Sequence, residues 1–250
     1  MVIRMKIVLL LICIIVLNDF WLFIFCRLME KLEAKKKNKK NDVRKTNDGV
    51  KDVVSKTHKE NICKTWLRYF IYHYGYGWMR YCCLLNGRIP SNRIRNIRYR
   101  FIFNMKITRQ TVIYGGCEIR SPWNIHAGNC VISSNCLLDG RNGIYIHENV
   151  VFGGGVHVWT EEHNVNSPIF DIMEENRQPV IIHEHAWICS DSTILPGVTI
   201  GKGAVIATRA CVTKDCDAFT INAGIPAKKI GERNNILTYT LSGKPHWHFY

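Results

Sequence analysis

From residue 61 to residue 110 the chain contains no aspartate or glutamate, against ten lysines and arginines. The formal net charge of the whole chain is +14. Residues 1–60 hold 14 basic and 7 acidic side chains, and residues 111–250 hold 10 and 13. A basic balance points to nucleic acid or an anionic membrane surface. Here the excess belongs to the first 110 residues, so the C-terminal part does not work through a global positive field. Also missing is any Cys-x-x-Cys pair among the eleven cysteines, whose number is odd. A zinc ribbon lacks its ligand pairs, and a complete disulfide framework cannot close. The cysteines stand mostly among apolar residues, which reads as buried free thiols in a reducing compartment. Gly153-Gly154-Gly155 precedes neither Lys-Ser/Thr nor a helical pattern, which excludes a phosphate-binding loop. With 250 residues, 47% of them apolar and 22% charged, gross disorder is excluded.

Residues 7–26 read IVLLLICIIVLNDFWLFIFC, long enough to cross a hydrocarbon core of about 30 Å. Asn18 and Asp19 interrupt the run. A central Asp costs about 3 kcal/mol on insertion scales, and the large apolar residues around it offset that cost. A cleaved signal peptide competes, with Arg4 and Lys6 as its basic region, but no small-x-small cleavage site follows. A start at Met29 is a third reading. The cations after the segment, from Arg27 through Lys45, place the rest of the chain on the cytoplasmic side. Residues 34–60 hold five apolar side chains and read as a polybasic tether. Residues 64–84 concentrate aromatics, among them Trp66, Tyr69, Phe70, Tyr72, Trp78 and Tyr81. Such a helix suits either a membrane interface or the end of the C-terminal domain. Arg93, Arg95, Arg98 and Arg100 lie in a further basic stretch at 88–109. Aromatics beside arginines also suit single-stranded nucleic acid, yet no nucleic-acid motif is present, and none is expected as a partner.

From residue 180 an aliphatic side chain returns every six positions: Ile182, Ile188, Ile194, Ile200, Ile206, Val212. Four residues after each stands a small one: Ala186, Ser192, Val198, Ala204, Ala210, Cys216. The spacing fits neither a helix nor simple alternation. It is a hexapeptide β-helix signature: each repeat gives a short strand and a turn, and three repeats give a triangular coil. The period runs back through Val158, Phe152 and Ile146. A two-residue insert falls within Gly140–Gly143 before Leu138 and Ile132. A one-residue slip separates Ile132 from Ile125, Ile119 and Ile113. About fourteen rungs, or four to five coils, are expected. The fold class is an all-β solenoid with an N-terminal helical region and a short C-terminal cap. The expected organisation is a hydrophobic anchor candidate at 1–28, a Lys-rich flexible tether at 29–62 and an aromatic and basic helical region at 63–109. The β-helix follows at 110–220, with a loop at 159–180, and a cap and tail at 221–250.

Val158 to Ile182 is the interval that breaks the rule. Positions 164 and 176, where further rungs would place aliphatic residues, are Asn. The interval therefore holds one rung plus an excursion, and a loop ejected from a strict solenoid is where function should be sought. That loop opens Trp159-Thr160-Glu161-Glu162-His163-Asn164.

These stretches carry a resemblance: SPWNI at 121–125, LDGRNGI at 138–144, WTEEHN at 159–164, ILPGVTIGKGAVIA at 194–207, VTKD at 212–215 and AGIPAKKIGER at 223–233. Over about 110–234 the chain resembles the hexapeptide-repeat acetyltransferases, within them the sugar and polysaccharide O-acetyltransferases. The resemblance implies a left-handed parallel β-helix, acetyl-CoA as acyl donor, a sugar or glycan acceptor, and a homotrimer with sites between neighbouring subunits. It implies His163 as the catalytic base and direct attack on the thioester. An imidazole with pKa near about 6.5 suits proton removal from a hydroxyl at neutral pH. The thioester oxyanion contact maps to the backbone of Ser190, and coenzyme A contacts map to Thr208, Thr213, Lys214 and Lys228. Acceptor contacts map to Asn135 and Asp139.

His183 and His185 invite a metal reading, but they fill a hexapeptide turn and no third His has the spacing a β-helix carbonic anhydrase requires; no metal is expected. Cys189 beside Ser190 is read as structural. Surface polysaccharide or lipid-linked oligosaccharide synthesis at the cytoplasmic face of the membrane is the expected setting. N-acetyl transfer to an amino sugar and a non-catalytic membrane-docked scaffold are the alternatives.

Overall fold

A computed structural model describes residues 2–46, 66, 68–172, 178–246 and 248–249. The chain forms two compact units, residues 1–81 and 82–250. In the first, helix α1 runs over Val2–Thr46. Within Met5–Asn38 it reaches a mean hydropathy of 2.8 and is long and apolar enough to cross a membrane, by length and composition. Its side chains from Ile7 to Leu17 are exposed. Asn18, one of the two polar interruptions, accepts a hydrogen bond from Trp78 Nε1 at 2.9 Å. Gly75 closes a π-helical turn at Ile71–Gly75 and lies against Phe25, where a Cβ would stand 2.7 Å from the ring. The helix continues to Thr46, where the sequence predicts a flexible tether. Leu, Glu, Ala and Lys favour helix, and extending an existing helix needs no new nucleus. The rest of that tether, 47–62, lies outside the described residues.

The second unit is a parallel β-solenoid of about six turns. Its first wall stacks β1 (Lys106–Ile107), β4 (Ile125–Ala127), β7 (Ile144–Ile146), β10 (Val180–Ile182) and β13 (Thr199–Ile200). The second stacks β2 (Val112–Ile113), β5 (Val131–Ile132), β8 (Val151–Phe152), β11 (Trp187–Ile188), β14 (Val205–Ile206) and β16 (Thr220–Ala223). The third stacks β3 (Glu118–Arg120), β6 (Leu137–Asp139), β9 (His157–Val158), β12 (Thr193–Ile194) and β15 (Cys211–Val212). The six-residue ladder is the interior: Ile182, Ile188, Ile194, Ile200, Ile206 and Val212 are all buried, as are Val158, Phe152, Leu138 and Ile132. Each such side chain contributes about 1.5–3 kcal/mol by leaving water.

The extra rungs come from both ends. β1 and β2 pair in register with β4 and β5, so the first coil begins at Lys106. At the far end β16 pairs with β14, and Cys216 bridges Ile200. The irregular rungs also resolve. Ala127, not Ile125, lies opposite the rung residue Ile146. The corner from the third wall to the first is therefore enlarged by two residues twice running, once through a 3-10 turn at Pro122–Asn124 and once at Gly140–Gly143.

Helices α2 (Tyr76–Gly87) and α3 (Asn92–Phe101) precede the solenoid. Arg95 of α3 reaches the first coil, donating to the carbonyl of Ile113 from Nε at 3.1 Å and Nη2 at 2.8 Å. At the other end β17 (Lys228–Glu232) turns back antiparallel on β16. The tail then retraces the solenoid along the corner between the first and second walls. Arg233 donates to His185 O, Leu241 N donates to Asn149 Oδ1, and Asn129 Nδ2 donates to Leu241 O. Further along, His246 N donates to Tyr114 Oη, and Asn92 N of α3 to His248 O. The C-terminal segment is thus a strap running to the opposite end. It roofs a cavity of about 430 Å³ floored by Val131, Ser133, Ser134 and Val151.

Candidate active site

The interval flagged in the sequence is a loop leaving the third wall after β9 and rejoining the first wall at β10; its residues 173–177 lie outside the described residues. Its base is pinned to the coil before it. Buried Thr160 donates from Oγ1 to Asp139 O at 2.7 Å and accepts from Asn142 N at 3.0 Å, while Asn142 Nδ2 donates to Thr160 O at 2.6 Å. Arg141 grips both oxygens of Asp139, with Nη2 2.6 Å from Oδ2 and Nε 2.9 Å from Oδ1. Its Nη1 donates to Glu161 Oε1 in the loop at 3.1 Å. The resemblance implies Asp139 as an acceptor contact, but its side chain is 0% exposed and taken up by Arg141. The enlarged Gly140–Gly143 corner allows this clasp, because it lets Arg141 fold back on a carboxylate only two residues earlier.

The loop folds on itself: Asn164 N donates to Asp171 O at 2.8 Å and Phe170 N to Ser167 O at 3.1 Å. Phe170 takes φ +50, and its carbonyl thereby meets His163 Nδ1 at 2.9 Å. The two rings stack at 4.4 Å and 6°. A carbonyl can only accept, so Nδ1 carries the proton, and in the neutral imidazole Nε2 presents its lone pair. His163 is exposed. Sequence reasoning named His163 but not the group that orients it. A backbone carbonyl has no residue signature.

Ser190 stands after β11, at the corner between the second and third walls. Gly153 occupies that corner one coil earlier, and a Cβ there would lie 2.5 Å from Ser190 N. Glycine at 153 leaves the Ser190 N–H uncovered. Thr208 lies one coil further on, at the same corner and exposed. Asn135 shares the corner on an earlier coil, exposed and in a left-handed turn at φ +60. Thr213 and Lys214 follow β15, two strands below β9 in the third wall, and Lys228 opens β17; all three are exposed. His163 and Ser190 therefore lie at opposite edges of the third wall and do not share a corner within one chain. Burial pushes the Cys189 thiol up, which suits a structural thiol and not a nucleophile.

The structure also gathers His147, His183 and Glu184, whose donor atoms lie within 4.8 Å of one another. His147 Nδ1 stands 3.5 Å from Glu184 Oε1. The backbone N–H of Glu184, with His147, His183 and Lys202, holds its carboxyl below the usual range. With a lysine acting on the same carboxylate, the group reads as a solvated charge cluster.

Residues 179–214 match the model for the bacterial transferase hexapeptide (six repeats). The chain is 32% identical over 133 residues to a protein of Escherichia coli K12 described as the colanic acid biosynthesis acetyltransferase WcaF, spanning 53% of this chain and 71% of that one. It is also 32% identical over 164 residues to the dTDP-4-amino-4,6-dideoxy-D-glucose acyltransferase of Escherichia coli, spanning 54% and 82%. Among solved structures, a maltose O-acetyltransferase from Clostridium difficile 630 matches with a TM-score of 0.56 at 23% identity, over 66% of this chain and 91% of that one. A galactoside acetyltransferase in complex with coenzyme A matches with a TM-score of 0.55 at 24% identity, over 67% and 90%. These structural likenesses show the fold.

The clasp makes a stability prediction. Arg141→Ala leaves the Asp139 carboxylate buried and unpaired, and is expected to cost about 3 kcal/mol. Asp139→Asn is expected to cost less, because the half-exposed Arg141 can turn to water, and the double variant less than the sum of the two. Urea unfolding of the four proteins measures this. Strictly additive costs would show that the two residues are not coupled.

Proposed function

The chain belongs to the hexapeptide-repeat acetyltransferases, and on that premise we propose that it moves the acetyl group of acetyl-CoA onto a sugar hydroxyl with His163 as general base. The observation that carries the proposal is the hydrogen bond from His163 Nδ1 to Phe170 O, which leaves Nε2 as a proton acceptor. Nε2 takes the hydroxyl proton as the sugar oxygen attacks the thioester carbon. The carbonyl oxygen gains negative charge beside the Ser190 N–H, a contact of the kind worth about 3 kcal/mol. The carbon–sulfur bond then breaks, and the imidazolium gives its proton to the departing thiolate. The products are a sugar ester and coenzyme A, with no acyl-enzyme.

Thr208, Thr213, Lys214 and Lys228 are the proposed coenzyme contacts, with the two exposed ammonium groups pairing with its phosphates. Asn135 is the proposed acceptor contact, and Asp139 acts through Arg141 as a positioning residue. Because His163 and Ser190 stand at different corners, a site using both draws them from two chains, which supports a homotrimer with sites between neighbours. Val165 and Ile169, 82% and 80% exposed on the same loop, are then available to a neighbouring subunit. The similarity to WcaF supports an acceptor in surface polysaccharide synthesis. A second reading, N-acetylation of an amino sugar, is favoured by the similarity to the dTDP-amino-sugar acyltransferase. The apolar length of α1, followed by its basic stretch, supports a place at the cytoplasmic face of the cell membrane.

His163→Ala is expected to lower kcat about 10²- to 10⁴-fold while coenzyme A affinity by calorimetry stays at the wild-type value. Wild-type turnover in this variant removes His163 from the mechanism. For the anchor, the full chain is expected to stay in the membrane pellet through salt and alkaline washes, and a chain beginning at Met29 to be released. Equal release of both contradicts an anchor.

A further inference from the structure

Helix α3 is built inside out. Its polar residues face the protein: Asn92, Arg95 and Tyr99 are 2%, 0% and 0% exposed. Arg95 is satisfied there by the carbonyls of Ile113 and Ile89. Its apolar residues face outward. Ile94, Ile97 and Phe101 are 52%, 57% and 53% exposed, and their spacing of three and four places them on one stripe. Exposed Arg93 flanks the stripe, and the Arg100 guanidinium lies 5.3 Å from the centre of the Phe101 ring. Leu85 and Arg88, both exposed on the approach to the helix, add one apolar and one basic group. No acidic residue occurs anywhere between 61 and 110.

An apolar stripe framed by arginines, in a segment without a carboxylate, matches a negatively charged surface whose interior is hydrocarbon. Nucleic acid offers the charge but not the hydrocarbon, and two of the three central side chains are isoleucines, which give bases no ring to stack on. We propose that the outward face of α3 rests on an anionic lipid leaflet, with Ile94, Ile97 and Phe101 at the headgroup boundary and Arg93 and Arg100 on lipid phosphates. This is a second lipid contact, carried by residues 82–250 themselves. It depends neither on α1 entering the bilayer nor on acetyl transfer. It also gives the basic segment around α3 a function that the catalytic reading does not use.

The test uses the full chain with Ile97 replaced by the photocrosslinking amino acid p-benzoylphenylalanine, reconstituted in phosphatidylcholine vesicles with and without phosphatidylglycerol. A second protein carries the same replacement at Ile236, 73% exposed on the C-terminal strap. Mass spectrometry after irradiation separates lipid adducts from protein adducts. Lipid adducts at 97 are expected several-fold above those at 236, and to rise several-fold further with phosphatidylglycerol. Arg93→Glu combined with Arg100→Glu is expected to remove that rise. Because the label reports on this face alone, an anchor elsewhere in the chain does not produce the result. Lipid adducts at 97 no greater than at 236, a crosslink to a second copy of the chain, or a yield indifferent to phosphatidylglycerol would each overturn the proposal.

Discussion

Coils of a solenoid touch only their neighbours, so every coil must present its inward side chain in register with the coils on either side. Parallel strands about 4.8 Å apart enforce that condition. The six-residue ladder from Ile182 to Val212 is its direct expression, and it fills the prism without interruption. Any segment that departs from the period has to leave the wall, and the chain after Val158 does so. The corners of the prism become fixed platforms, and the proposed site residues are attached to them: Ser190 and Thr208 at one corner, His163, Thr213 and Lys214 at another.

The wall also explains how an exposed loop can hold a histidine in one orientation. Thr160 is buried at the loop base and bonded to the preceding coil, and Arg141 ties Glu161 to a carboxylate inside that coil. Beyond this base the loop stabilises itself through backbone bonds, the last of which brings Phe170 O to His163. A rigid frame, a clasp and a short self-bonded loop form a continuous path from the core to Nε2. The proposed base is thus held by its surroundings and not by its own flexible stem.

Much of the wall was legible because an inward position tolerates few side chains, so the period survives in the letters. The loop was legible as the place where the period fails. The first rung, Ile107, was hidden, since its partner Ala127 takes the rung position one coil on and the neighbouring Ile125 mimics the expected one. The Phe170 carbonyl was hidden because it depends on one residue's φ, and every residue has a carbonyl. The Asp139–Arg141 clasp was hidden because Asp139 ends its strand and Arg141 already lies in the enlarged corner, where no strand period says which way a side chain turns. The strap was hidden because its side-chain bonds link residues 48, 92, 112 and 132 positions apart and leave no local pattern. The helical start of the expected tether has a related reason: a lysine run reads as solvated chain, yet its residues extend a helix readily once one exists.

Direct attack by a sugar oxygen at the thioester is the central proposed step. Single-turnover incubation with radiolabelled acetyl-CoA and a panel of sugars, followed by alkali, tests it. Label is expected to pass to a sugar as an alkali-labile ester while none is trapped on the protein. Label trapped on the protein would contradict direct transfer, and label in an alkali-stable amide would contradict the oxygen acceptor.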